Sequence, residues 1–351
     1  MIYIVVTAIS MIISSIIVKL KMKSYWQILA FLPLTFLGAL RAYVGIDYTT
    51  YSIIQIPGIL NGFSHIKFEP LAKQVVFLGY YLADRQHYFY IFSLFHIILM
   101  WFIYKYISEN SKNISESLFL LLTSVFFTFS LSGIRQAIST MIAFYALKYL
   151  EKNKVFHFIF FIIIASLFHK ASIIYLFFIV LNKVKLDRTI AILGVFVAVV
   201  ISLFNINFVA ELMEVFDFYS EYIGSEFYTG GFDWVHKYAI IIFSSSIFIM
   251  SYFLSKENIQ KLELYLKINY ILFLSAILMS IFPTPSRIIY LFIPVYFVLI
   301  PNILFVLPDK RFRVIVKSFY FILFTLFFYR MVFNSNVYET LPYQSIFEFL
   351  R

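Results

Sequence analysis

Arginines at the ends of long apolar segments are the residues of this 351-residue sequence best suited to bind a phosphate. Arginine in a bilayer costs about 2.5 to 3.5 kcal/mol at the centre of a membrane helix, so each one needs an anionic partner or an interfacial position. A guanidinium also offers phosphate two parallel hydrogen bonds that an ammonium cannot match. We predict a phosphate clamp, with interfacial anchoring or a structural ion pair as the alternative. The clamp residues are Arg41, Arg135 and Arg287.

The segment after Arg41 places a carboxylate, Asp47, within a short polar stretch. Gly45 permits a tight turn, so Arg41 and Asp47 can face the same external cavity. There, Asp47 can take a proton from a hydroxyl group as a general base. A salt bridge between Arg41 and Asp47 that holds the loop is the alternative, and the two roles are compatible.

Two polar breaks interrupt apolar runs that are too long for one membrane crossing. The run 117–150 contains Ser132-Gly133-Ile134-Arg135, and the run 155–184 contains His169-Lys170. We predict that each break is an external turn between two short helices. Arg135 beside a helix N-terminus favours an anion, unless the turn is only a polar cap. His169 can act as a base or donate to phosphate, and a turn histidine bonded to the backbone is an equal alternative.

The composition is that of an integral membrane protein. Hydrophobic residues make up 62% of the chain and aromatic residues 21%, whereas charged residues make up only 13%. A soluble domain has roughly a quarter charged residues, so a soluble enzyme and a disordered chain are excluded. The absence of cysteine excludes disulfides and thiolate chemistry. The net charge of +10 is explained by loop charges that orient membrane helices, and we expect no nucleic acid as a partner.

A membrane helix needs about 20 apolar residues, and the sequence then predicts an all-α fold of about twelve transmembrane helices. Most of the 28 Lys and Arg residues fall in alternate loops, which places both termini outside by the positive-inside rule. Without internal repeats or linkers, residues 1–351 are expected to form a single polytopic membrane domain.

Two external segments are long enough to carry function. Segment 41–86 contains a predicted amphipathic or re-entrant, membrane-lying helix that starts at Pro70, where Glu69 is suited to cap the helix N-terminus. Segment 207–236 is acidic and aromatic, with six acidic residues and no Lys or Arg. Its apolar stripe favours an interfacial helix, and its aromatic tip could contact carbohydrate.

Motifs for nucleotide hydrolysis, zinc proteolysis and G-x-S-x-G hydrolysis are absent from the sequence, as is a D-x-D carboxylate pair. We therefore expect no metal site and no cofactor.

Several short motifs, in order over nearly the whole chain, resemble the EpsG-like family of bacterial exopolysaccharide and O-antigen polymerases, often called Wzy-type. The motifs are Arg41-x-x-x-Gly45-x-Asp47-Tyr48-x-x-Tyr51, Glu69-Pro70, Gly133-Ile134-Arg135-Gln136, the hairpin His169 and Pro342-Tyr343. The first and third of these motifs are specific to the family.

The resemblance implies a glycosyltransferase of the bacterial cytoplasmic (inner) membrane whose active site faces the periplasm or exterior. Its substrates would be oligosaccharides linked to undecaprenyl diphosphate in the membrane lipid, and its partner a chain-length regulator. The growing glycan would pass to a hydroxyl group of an incoming lipid-linked unit.

On this hypothesis the arginines of the clamp bind the diphosphates. Clustered arginines can replace a metal in this role. Asp47 is the base, with His169 as the second candidate. Tyr48, Glu69 and Gln136 contact sugar or support the other groups. Two alternatives remain open: a flippase for lipid-linked oligosaccharides, whose charges should reach both membrane faces, and a glycan O-acyltransferase, which needs a catalytic histidine.

Overall fold

The computed structural model describes residues 1–63, 66, 68–204, 234–281 and 285–349. These residues form helices joined by short turns, with one isolated β-bridge between Arg41 and Ser345. The helices up to residue 151 are α1 Ile2–Lys19, α2 Ile28–Ala39, α3 Ile46–Thr50, α4 Ile56–Leu60, α5 Pro70–Leu82, α6 Phe89–Asn110, α7 Ile114–Thr123, α8 Phe126–Ser132 and α9 Ile134–Glu151. The later helices are α10 Val155–Ser166, α11 Phe177–Lys183, α12 Arg188–Phe204, α13 Trp234–Ser251, α14 Lys256–Ile277, α15 Pro285–Tyr290, α16 Tyr296–Val306 and α17 Lys310–Phe328. Short 3₁₀ or π-helical stretches are Ser24–Gln27, Tyr51–Gln55, Lys170–Leu176, Leu278–Ile281, Ile293–Val295, Tyr329–Asn334 and Ile346–Glu348.

The described residues contain six helical segments that are long and apolar enough to cross a membrane, or seven if one bent pair counts as a span. The six segments are Ile2–Lys19, Phe89–Asn110, Trp234–Ser251, Lys256–Ile281, Ser286–Val306 and Lys310–Asn334. The exposed residues of α1 include Ile4, Val5 and Ile9, as lipid contact requires. The protein is therefore a helical membrane protein, whereas the count of twelve crossings and the orientation stay predictions.

Both predicted breaks in the long apolar runs are confirmed. Gly133 separates α8 from α9, and Leu167 to His169 lie between α10 and the 3₁₀ stretch that begins at Lys170. A third break was not predicted. Val125 has a positive φ of 67°, which is rare for a β-branched residue, and the helices on either side of it are bent by 54°.

The described residues group into two compact units. The first contains Met1–Leu176 with Lys317–Arg351, and the second contains Phe177–Val316. In the first unit, most of α9 is buried, and this helix packs against α6 and α10. The first residues of α9 are thereby held in a rigid position.

The segment 338–346 returns to the loop that follows α2. The amide of Ala42 donates to the carbonyl of Gln344 at 3.0 Å, and the amide of Ile346 donates to the carbonyl of Leu40 at 2.9 Å. The Tyr343 hydroxyl donates to the carbonyl of Leu37 at 2.8 Å. These bonds fix the path of the loop that carries Asp47.

Gly45 is the one position in this loop where the backbone requires glycine. Its φ of 105° and ψ of 137° lie in a region that other residues avoid. A Cβ atom at Gly45 would also lie 2.5 Å from the carbonyl oxygen of Leu131. The loop therefore approaches the end of α8 closely because residue 45 has no side chain.

Gly45→Ala is expected to destabilise the protein more than the matched variant Gly62→Ala. Both glycines have positive φ, but a Cβ at Gly62 meets nothing within 4 Å. Backbone strain alone costs about 1–3 kcal/mol, and only Gly45→Ala adds the clash with Leu131. Thermal unfolding of the detergent-purified variants measures the difference, and equal losses would contradict the close approach at residue 45.

Candidate functional site

Glu69 lies at the centre of a polar cluster in the first unit. It precedes Pro70, whose fixed φ and missing N–H suit the first position of α5. The amide of Leu71 donates to the carbonyl of Leu167 at 3.0 Å, which joins the start of α5 to the break after α10. The Glu69 side chain is 15% exposed. The carboxylate is thus held between two helix breaks.

Arg135, the second residue of α9, is an ion-pair partner of Glu69 through Nη1 and Oε2. Its Nε donates to the Tyr51 hydroxyl at 3.0 Å, and its guanidinium lies 3.9 Å from the centre of the Phe68 ring. These bonds use two of the five N–H groups of a guanidinium. Arg135 is 15% exposed, so it is oriented by protein groups while part of it stays accessible.

His169 contacts the other oxygen of the same carboxylate. Its Nδ1 lies 3.3 Å from Glu69 Oε1, and the amide of Lys170 donates to that oxygen at 3.1 Å. An ionised carboxylate only accepts hydrogen bonds, so Nδ1 carries the proton and Nε2 carries the lone pair in the neutral ring. A carboxylate that orients an imidazole in this way is typical of a general base.

The charges around Glu69 favour its ionised form. Burial by itself raises the pKa of Glu69, but the hydrogen bond from His169 and the positive charge of Arg135 outweigh burial and lower the pKa to about 2. Glu69 is therefore an anion at any physiological pH. It can orient His169 and Arg135, and it is unsuited to accept a proton from a substrate.

Glu69 is expected to stabilise the folded protein less in acid. A carboxyl group with a folded pKa of about 2 and a reference value of 4.5 contributes stability that is complete above the reference value and is lost as pH falls toward the folded pKa. The difference in melting temperature between the wild type and Glu69→Gln should be nearly the same at about pH 6 and pH 7, and should shrink by about pH 3. An undiminished difference at the lowest pH would contradict this ion pair.

The backbone of Asp47 contacts the end of α8. It is in the first turn of α3, half-buried, and its amide donates to Ser132 Oγ at 3.1 Å. Ser132 is three residues before Arg135 in the sequence. The loop after α2 and the break before α9 therefore meet. The role of Asp47 as a base stays a prediction.

Arg41 is completely buried. Its Nη1 donates to the carbonyl of Gly38 at 2.8 Å, and its Nη2 donates to the carbonyl of Leu131 at 3.2 Å. In this arrangement the guanidinium joins α2 to the end of α8, and it does not face an external cavity with Asp47. Contact between Arg41 and a diphosphate stays a prediction that requires the guanidinium to become exposed.

The arrangement connects the motifs at Arg41–Tyr51, Glu69-Pro70, Gly133–Gln136 and His169 within one unit. The EpsG family matches residues 24–345, which include all of these motifs. The chain belongs to the EpsG family. Neither a curated protein nor a solved structure matches it.

The remaining predicted site residues of this EpsG family member lie in different environments. Gln136 is buried in α9, and Tyr48 is buried with its ring stacked on Phe92 at 4.0 Å. Arg287 is half-buried in α15, which belongs to the second unit. Most of segment 207–236 lies outside the described residues. The predicted roles of these residues stay predictions.

Two aromatic residues beside Arg135 in this EpsG family member were not predicted to belong to the site. Tyr51 accepts the hydrogen bond from Arg135 Nε, and Phe68 lies under its guanidinium. Signals for both were present, because Tyr51 ends the first motif and Phe68 directly precedes Glu69-Pro70. Among the described residues, no group of three His, Asp or Glu side chains could hold a metal ion.

Proposed function

We propose that this protein is a polysaccharide polymerase of the bacterial cytoplasmic membrane. It transfers the growing glycan from undecaprenyl diphosphate to a hydroxyl group of an incoming lipid-linked repeat unit at the outer face of the cytoplasmic membrane. The observation that carries the proposal is the Glu69 carboxylate, which binds Arg135 through one oxygen and His169 through the other. Membership of the EpsG family supports the same function.

The reaction needs a base for the acceptor hydroxyl and a cation for the leaving diphosphate, and the Glu69 cluster supplies both. The bond between the sugar C1 and the phosphate oxygen breaks, while a bond forms between C1 and the acceptor oxygen. The acceptor hydroxyl loses its proton, which His169 Nε2 takes, and the lipid diphosphate leaves with the electron pair. Arg135 stabilises the charge on the leaving diphosphate. Glu69 keeps the imidazole in the tautomer that can accept the proton.

The arrangement also explains why arginine is needed at residue 135. The guanidinium binds Glu69 and Tyr51 and stacks on Phe68 at the same time. Planarity and several fixed donors make this combination specific to arginine. The orientation is set before substrate binds, which is how electrostatic stabilisation of a transition state becomes effective.

Electrophoresis of the surface glycan tests the proposal in a host from which the gene is deleted and then restored. We expect deletion to remove the long ladder and to leave a single repeat unit displayed, and the restored gene to return the ladder. Loss of every surface repeat unit would instead indicate a flippase. An intact ladder with an altered substituent would indicate an O-acyltransferase, and both results would overturn the proposal.

A further inference from the structure

The first unit contains a cavity of about 280 Å³ beside the loop that carries Asp47. Four tyrosines line it together with an arginine and a glutamine: Tyr43, Tyr48, Tyr80, Tyr88, Arg85 and Gln86. Its size is just below the roughly 300 Å³ at which small-molecule sites begin, which suits one sugar ring rather than a longer oligosaccharide. None of its described lining residues is acidic. The cavity therefore favours a neutral or anionic ligand over a cation.

The lining offers groups that match both surfaces of a saccharide, its C–H faces and its hydroxyl groups. The faces of tyrosine rings carry negative charge density, which suits the polarised C–H groups on one face of a pyranose. Tyrosine hydroxyls and the Gln86 amide can both donate and accept hydrogen bonds, as sugar hydroxyls require. Arg85 adds two parallel donors for a carboxylate or a phosphate. This combination predicts a sugar ring that carries an anionic group.

One layer of aromatic rings separates the cavity from the Glu69 cluster. Tyr48 lines the cavity and stacks on Phe92 at 4.0 Å, and Tyr51 contacts the same Phe92 ring at 6.3 Å. The Tyr51 hydroxyl binds Arg135. A sugar ring in the cavity would therefore be separated from the reacting groups by this aromatic layer, a place suited to a sugar of the glycan other than the one that reacts.

The backbone next to the cavity is held in an unusual conformation. Asp84 and Arg85 have φ values of 49° and 62°, in the left-handed region that few residues other than glycine adopt. Such a conformation is unfavourable by itself and persists where the surrounding structure fixes it, often in a ligand clamp. The turn after α5 thus places Arg85 at the cavity despite this cost.

We propose that this cavity binds one pyranose ring of the glycan substrate and that Arg85 binds an anionic substituent of that ring. The proposal rests on the proposed polymerase function, since it assigns a sugar subsite to that reaction. The alternative for such tyrosines is an aromatic belt at the membrane surface. A belt would have no preference among dissolved sugars, so binding measurements separate the two.

Saturation-transfer NMR with the full-length protein in detergent tests the subsite. The probes are methyl glucoside, methyl glucuronide and methyl glucoside 6-phosphate. We expect the two anionic probes to bind more strongly than the neutral one, and comparison of the two shows which anion Arg85 prefers. Arg85→Gln should weaken binding of the anionic probes at least about tenfold, which corresponds to roughly 1.4 kcal/mol, because hydrogen bonds to charged groups are among the stronger ones. It should leave the neutral probe unchanged.

Matched variants serve as controls for the two parts of the subsite. Tyr80→Ala should reduce binding of all three probes, whereas Tyr81→Ala should not, because Tyr81 is 68% exposed and does not line the cavity. Lys73→Gln removes a positive charge from the same helix, and it should not affect binding. Equal binding of all probes to the wild type, or equal effects of Tyr80→Ala and Tyr81→Ala, would overturn the proposal.

Failure of the subsite differs from failure of the polymerase function. If only the subsite is wrong, probe binding does not depend on Arg85 or Tyr80, while deletion of the gene still removes the long glycan ladder. If only the polymerase function is wrong, the ladder survives deletion, while binding of the anionic probes still depends on Arg85.

Discussion

Arg135→Lys should abolish the long glycan ladder at an unchanged level of membrane protein. Lysine keeps the positive charge, but its ammonium cannot bind Glu69 and Tyr51 in the same plane while it stacks on Phe68. Removal of a single well-placed donor from a developing anion costs about 10²–10³ in rate, so the loss should be at least about a hundredfold. Electrophoresis of the surface glycan, with an immunoblot for protein level, measures the effect.

Arg311→Lys is the matched control, because Arg311 is exposed at the start of α17. It should leave the ladder unchanged. The melting temperature of purified Arg135→Lys shows whether the loss comes from unfolding. A normal ladder from folded Arg135→Lys would exclude Arg135 from the proposed diphosphate site.

His169→Gln should reduce polymerisation about 10²–10⁴-fold, the usual contribution of a general base. Glutamine is similar in reach and can still donate a hydrogen bond to Glu69, but its side chain has no basic nitrogen. The initial rate at which membranes consume lipid-linked repeat units measures the loss. His157→Gln is the control, since His157 is an exposed histidine near the start of α10.

Asp47→Asn discriminates between the two candidate bases. The hydrogen bond from the backbone amide of Asp47 to Ser132 Oγ does not involve the Asp47 side chain. It should survive the substitution, so the loop should keep its position. If His169 is the base, Asp47→Asn should lose less activity than His169→Gln. The reverse order would return the role to Asp47, as the sequence first indicated.

The sequence predicted the helix breaks better than it predicted the contacts between them. Gly133 and His169 stand out because polar or glycine residues rarely interrupt an apolar run. Pro70 marks a helix start for a similar reason, since its backbone suits the first helical position. Val125 gives no such signal, because a β-branched residue is not expected with a positive φ.

The pairing of Glu69 with Arg135 and His169 could not be read from the sequence. These residues are separated by 66 and 100 positions, and only the packing of the helices brings them together. For the same reason, the sequence indicated that Glu69 was mainly a helix cap. The burial of Arg41 was equally unexpected, because a guanidinium without a carboxylate partner is seldom placed inside a protein.

The bond between Tyr343 and Leu37 joins residues 306 positions apart. During synthesis, α2 and the loop after it leave the ribosome long before the segment 338–346 exists. The loop around Asp47 therefore lacks its hydrogen bonds to segment 338–346 until almost the whole chain has been synthesised. Contacts of such high sequence separation form slowly. A nascent chain interrupted before this stage would lack the bonds from segment 338–346 that hold this loop.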